Sequence, residues 1–75
     1  MTPVYTVDAK GLECPIPLLK TVTEIRNIEV GEILEILSTD QGSISDITRW
    51  AKKMGHKIIK VIEEEQTIKI YIRRG

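Results

Sequence analysis

From Thr67 to Arg73 the sequence alternates without a break, with Ile68, Ile70 and Ile72 interleaved by Lys69, Tyr71 and Arg73. Only an extended strand turns every second side chain to the same side. This segment is therefore a strand with one apolar side and one wet side. A chain of 75 residues has material for a single modest core, so the isoleucines must face whatever else in the chain is apolar on one side only. Two stretches qualify. Leu18, Leu19, Val22, Ile25 and Ile28 recur at helical spacing, and so do Ile44, Ile47, Trp50, Ala51 and Met54. Two helices laid on one face of a sheet, with the other face in water, satisfy all three patterns at once.

The remaining segments supply the rest of that sheet. Val4 to Val7 is β-branched and aromatic and reads as a first strand, ending at the turn cluster Asp8-Ala9-Lys10-Gly11. Glu32 to Leu37 is apolar on both sides, as a central strand under a helix would be, and Gly31 supplies the exit from the helical segment before it. Ile58 to Ile62 is a third strand, and the short Glu63–Gln66 link to the alternating strand predicts an antiparallel hairpin. The first helix should begin at about Pro15, since proline suits a helix's first turn, which places Cys14 at the N-cap. Ser43 and Asp46 form a variant capping box for the second helix, and Gly55 fits its left-handed C-terminal position. The order is βαβαββ. The expected class is α+β: a two-layer sandwich with both helices on one face of a four-stranded mixed sheet, residues 1–75 forming one domain.

Charge narrows the partners. Eleven Lys and Arg balance eleven Asp and Glu, and the pairs Lys52-Lys53 and Arg73-Arg74 are set against Glu63-Glu64-Glu65. Nucleic-acid binding depends on clustered cations, so no direct nucleic-acid partner is expected. No apolar run approaches the roughly 18 residues of a spanning helix, and Met1-Thr2-Pro3-Val4 has no secretory pattern, so membrane insertion is not expected. One cysteine, Cys14, leaves no internal disulfide and no cysteine-built zinc site. The expected location is the reducing cytoplasm.

Chemically versatile residues are scarce. There is no glycine-rich phosphate loop and no HExxH spacing, and Ser38, Ser43 and Ser45 have only His56 as a possible base, with no nucleophile elbow. Cys14 alone has an unusual setting, Gly11-Leu12-Glu13-Cys14-Pro15-Ile16-Pro17. A thiol at a helix N-cap faces free amides and the positive end of the dipole, so it should ionise more readily than free cysteine. Pro15 and Pro17 remove two first-turn donors, which leaves the Ile16 N–H as the expected local partner for sulfur, and they stiffen the turn that holds the thiol at the tip. The bland alternative is that Cys14 fills the core, as lone cysteines often do. Elsewhere the structural reading leads: Asp46 as a capping residue, Trp50 and Met54 as core, His56 as a hydrogen-bonding group at a helix end, Lys20 as a solvated flank. Gly11, with Asp8 and Leu12, would shape the approach to Cys14.

Asp8-Ala9-Lys10-Gly11-Leu12-Glu13-Cys14-Pro15-Ile16-Pro17 resembles the D-x-x-G-L-x-C-P-x-P opening of the TusA-like (SirA-like) sulfur-carrier family. Gly31, Thr39-Asp40, Ser43, Asp46-Ile47, Trp50 and Gly55-His56 fall where that family has similar residues, so the resemblance spans the chain. It implies a βαβαββ sandwich and a persulfide mechanism. Cys14 would accept a sulfane sulfur from a cysteine desulfurase or rhodanese-like donor and pass it to an acceptor protein, towards tRNA thiolation, cofactor synthesis or sulfur metabolism. Three positions depart from the pattern: Ala51 where many relatives have a second cysteine, Ile16 where several have Glu, and Gln41 where Pro is common.

The expected protein is thus a sulfurtransferase-type carrier using Cys14, supported by Gly11, Leu12, Glu13, Pro15, Ile16 and Pro17, monomeric, with no cofactor and no metal. A second reading, also known among relatives, is a non-enzymatic module accessory to a thiosulfate or sulfur-compound transporter, in which Cys14 would be dispensable. A thiol oxidoreductase is disfavoured by the missing resolving cysteine.

Overall fold

Six elements follow one another in the computed structural model, which describes residues 2–75: β1 (Tyr5–Ala9), α1 (Ile16–Ile25), β2 (Ile33–Ser38), α2 (Gly42–Met54), β3 (Lys57–Glu64) and β4 (Thr67–Arg73). Met1, where the expected domain begins, lies outside the described residues. The strands form one mixed sheet in the order β1-β2-β4-β3. β1 runs parallel to β2, β4 is antiparallel to β2, and β3 and β4 form the expected antiparallel hairpin. β2 is an interior strand, as its two-sided apolar character requires.

The alternation of β4 sets the layers. Ile68, Ile70 and Ile72 lie beside Ser38, Ile36 and Leu34 of β2, which in turn lie beside Ala9, Val7 and Tyr5 of β1. Leu34, Ile36, Ile70 and Ile72 are fully buried, and with Val7, Ile25, Ile28, Ile47 and Ile68 they make one core under the two helices. Each such aliphatic side chain contributes about 1.5–3 kcal/mol of burial energy. The opposite face is mixed: Ile33, Leu37 and Ile62 share it with polar side chains that are tied across strands. Thr6 Oγ1 donates to Glu35 at 2.8 Å, Tyr71 OH donates to the other Glu35 oxygen at 2.5 Å, and Lys60 lies 5.4 Å from the Tyr71 ring centroid. A register irregularity between Ile58 and Lys60 interrupts the β3–β4 ladder.

Several expectations shift. β1 runs through Asp8 and Ala9, which the turn cluster had claimed, because Ala9 pairs with Ser38 and is fully buried. Leu19 is 53% exposed and Met54 59%. The buried stripe of α1 is Pro17, Thr21 and Ile25: Thr21 turns its hydroxyl back to the Pro17 carbonyl at 2.8 Å and enters the core without an unpaired group. On α2 the buried residues are Ser43, Ile47 and Ala51, with Ile44 and Trp50 packed at the margin, which leaves Met54 outside the stripe. Ser43 is buried inside the helix's first turn, not at its cap; its hydroxyl donates to the Asp40 carbonyl at 2.6 Å and lies in hydrogen-bond contact with the Ser38 hydroxyl at 3.0 Å. Gly55 takes the expected left-handed conformation, φ 82°, and ends α2. No helix among the described residues is long and apolar enough to cross a membrane.

Candidate functional site

Because β1 and β2 are parallel neighbours, the loops leaving their C-terminal ends emerge side by side. The first carries Lys10 to Pro15, the second Thr39 to Gln41. They are bonded together: the Gly11 N–H donates to Thr39 Oγ1 at 2.9 Å and the Cys14 N–H to Asp40 Oδ2 at 2.6 Å. Gly11 has φ +79°, a left-handed conformation that glycine adopts without strain and that turns the chain towards Thr39. Asp40 is itself braced, its other oxygen accepting from the Gly42 N–H at 3.0 Å. These two backbone donors hold the Asp40 carboxyl below its ordinary pKa.

Cys14 is an exposed free thiol at the end of this paired loop. The core-filler alternative is therefore excluded by position. The helix it precedes starts one residue later than expected: Pro15 occupies the N-cap, Ile16 is the first helical residue, and no side chain caps the turn. The Cys14–Pro15 peptide is cis. The Ile16 N–H, the partner expected for sulfur, donates instead to the Glu13 carbonyl at 2.8 Å. The sulfur turns away from the helix amides and donates to Asp46 Oδ2 on α2.

That contact reverses the expected electrostatics. The hydrogen bond to Asp46 is the main cause holding the Cys14 pKa above its ordinary value, followed by desolvation and by the charges of Asp46 and Asp40. A carboxylate that accepts the thiol proton favours the neutral thiol. The resting thiol is therefore less acidic than free cysteine, not more.

The other singled-out residues frame this arrangement. Leu12 is half-buried and its N–H reaches the Ala9 carbonyl, closing the turn after β1. Pro17 is fully buried and roots the first turn of α1 in the core. Glu13 and Pro15 are exposed, and Ile16 and Leu19 form an exposed apolar pair about one turn apart at the start of α1, the helix that follows Cys14. Gln41, at the position where proline was the family's common residue, starts α2 and reaches Glu63 at 3.2 Å. His56 sits at the other end of the sheet, where it tilts against Trp50 at 5.0 Å and accepts from the Gly75 N–H at 2.9 Å. Burial and the Arg74 charge lower its pKa. It is a structural residue at a helix end and takes no part in the Cys14 site.

Sequence reasoning missed Asp46 and Asp40 as members of the site. A signal for Asp40 was present: parallel adjacent strands bring their C-terminal loops together, so the residues after β2 should meet those after β1. Asp46 is a turn further along α2, and its approach to sulfur follows only from how the helix seats on the sheet.

Similar proteins agree with this architecture. The family model described as Sulfurtransferase TusA matches residues 5–74. YrkF of Bacillus subtilis, named as a candidate sulfur carrier protein, is 39% identical over 75 residues, all of this chain; this chain spans only 40% of YrkF's length. The sulfur carrier protein TusA of Pseudomonas putida (strain W619) is 34% identical over 73 residues, which is 97% of this chain and 91% of that protein. The crystal structure of a SirA-like protein from Desulfitobacterium hafniense superposes with a TM-score of 0.85 at 26% identity, covering 96% of this chain and 99% of that one.

Proposed function

The chain belongs to the TusA family, and we propose that it is a sulfur carrier which holds sulfane sulfur as a persulfide on Cys14 and relays it between protein partners. The observation that carries this reading is the exposed, free Cys14 thiol at the tip of a loop braced by Thr39 and Asp40. A persulfide survives where no neighbouring thiol can attack it, and this chain has no second cysteine. Ile16 and Leu19, exposed at the start of the helix that follows Cys14, offer apolar contact to a donor or acceptor protein, and the chemistry itself needs only two thiols and one transferable sulfur.

The test is intact-mass measurement after incubation with a cysteine desulfurase and cysteine, or with a rhodanese and thiosulfate. The expected result is a gain of one sulfur atom that a reductant removes and that Cys14→Ser abolishes. Retention of full function in cells by Cys14→Ser would instead favour the transporter-accessory reading, in which the thiol is dispensable.

A further inference from the structure

Across the fold, the sulfur of Cys14 hydrogen-bonds one side chain, the carboxylate of Asp46. That carboxylate is not a chance neighbour on a mobile stem. Asp46 is half-buried on α2 between Ser43 and Ile47, both buried and packed against the sheet. The backbone of Cys14 is fixed separately, by its N–H on Asp40. The charged groups facing Cys14 are Asp46 from α2 and Asp40 from the loop between β2 and α2; its own loop carries Lys10 and Glu13.

We propose that Asp46 is a positioning residue for sulfur exchange: it holds unloaded Cys14 as a directed neutral thiol and opposes the anionic persulfide, so the loaded carrier surrenders sulfur more readily than a free cysteine persulfide does. This rests on the persulfide reading above. Loading from a donor persulfide is R–S–S⁻ + Cys14–SH → R–SH + Cys14–S–S⁻. The donor's S–S bond breaks and a new one forms on Sγ. The thiol proton ends on the donor's thiolate, and no oxidant or reductant is consumed. In the product, Sγ has no proton left to donate, and a negative sulfur stands roughly 2 Å beyond it. The contact that stabilised the thiol becomes oxygen lone pair against sulfur lone pair, and the Asp40 carboxylate adds a second negative charge close to the residue. Each of these favours discharge, because like charges disfavour the ionised form and the hydrogen bond exists only in the protonated one.

The experiment compares wild type with Asp46→Asn and Asp46→Ala in two assays. The first follows alkylation of Cys14 by iodoacetamide against pH. The second follows the equilibrium loading of Cys14 from cysteine persulfide in excess cysteine, read by intact mass. Both variants should alkylate several-fold faster at neutral pH, with the midpoint moved down, and should hold several-fold more sulfur at equilibrium, because the hydrogen bond and the charge that favour the protonated thiol are both removed. A residue that only supported the fold would move neither the midpoint nor the equilibrium in this direction. Two variants are used because asparagine can form a new hydrogen bond and alanine cannot. Slower alkylation in both would make Asp46 an activating base and overturn the inference. Wild-type loading with no difference between the three proteins would overturn it alone. A wild-type chain that never gains sulfur overturns the carrier reading, and this inference with it.

Discussion

Two weak acids in this protein rest a proton on a carboxylate, Tyr71 on Glu35 in the open face of the sheet and Cys14 on Asp46 at its loop end. The chemistry of the two contacts is the same. The hydrogen bond to the carboxylate is the leading cause that raises the pKa of Tyr71, and the leading cause that raises that of Cys14. Their settings differ. Glu35 and Tyr71 are direct cross-strand partners in the β2–β4 ladder, where the backbone fixes both ends. Cys14 and Asp46 join a loop to a helix and lie 32 residues apart in the chain. A phenol titrates near about 10, so a further rise changes nothing near neutrality and the contact only ties strands together. A thiol titrates at about 8.5, so the same rise changes how much thiolate is present near neutrality. The first contact bears on structure alone and the second also on the thiol's ionisation near neutrality, and the acid's ordinary pKa separates them.

Both contacts depend on β2, so the first way to break the comparison is to loosen that strand. Ile36 is fully buried beneath the helices, directly beside Glu35. Ile36→Ala should destabilise the domain by about 2–5 kcal/mol, the largest of the expected effects on stability, with the midpoint of urea unfolding as the readout. A loss well below that range would mean that the helix face of β2 is not the common support.

A sharper cut removes one contact and spares the other. Tyr71→Phe deletes the hydroxyl that reaches half-buried Glu35 and should cost about 1.5 kcal/mol, the low end for a hydrogen bond to a charged group because the pair is only half-buried, while leaving the pH profile of Cys14 alkylation where it was. The pH dependence has a definite sign. The Tyr71 hydrogen bond chiefly holds the folded-state pKa of Glu35 below its ordinary value. Its contribution is therefore fully present above the unfolded carboxylate value of about 4.3 and is lost as pH falls through the lower folded value. Tyr71 is raised, so its contribution is present below about 10 and is lost as pH rises through the higher folded value. The stability gap between wild type and Tyr71→Phe should be widest in between and close from both sides. A gap independent of pH would show that the hydroxyl's worth is packing.

The open-face contact was half legible in the sequence and the loop-end contact hardly at all. Alternation from Thr67 to Arg73 announced which side of β4 is wet, and so where Tyr71 points; the helical stripes and the glycine at 55 announced the layers and the end of α2. These are local signals, repeated every two to four residues. Thr21 in place of Leu19 was not legible, because a hydroxyl that bonds back to the preceding turn is invisible to a count of apolar residues. Nor was the partner of Cys14. The local reading pointed its sulfur at the helix amides, but Pro15 takes the cap and the Ile16 amide is already engaged, so sulfur finds a carboxylate whose position depends on the whole βαβα packing. The cysteine could be picked out from its neighbours; the carboxylate that its thiol meets could not.

The smallest expected effect sharpens the comparison by testing charge without a shared proton in a fixed ladder. Lys69 and Glu64 pair at 3.2 Å with side chains 34% and 55% exposed. Water and salt screen such a pair, and holding two long side chains together costs rotamer freedom, so Lys69→Ala should change stability by no more than about 0.5 kcal/mol. Raising salt to molar concentration should erase even that difference, because the screening length then falls to about 3 Å, whereas the Tyr71 contribution should largely persist as a short bond between fixed strands. Should Lys69→Ala prove as costly as Tyr71→Phe, long-range charge and not the directed proton would be what ties the open face, and the contrast between Glu35 and Asp46 would have to be rebuilt on field strength alone.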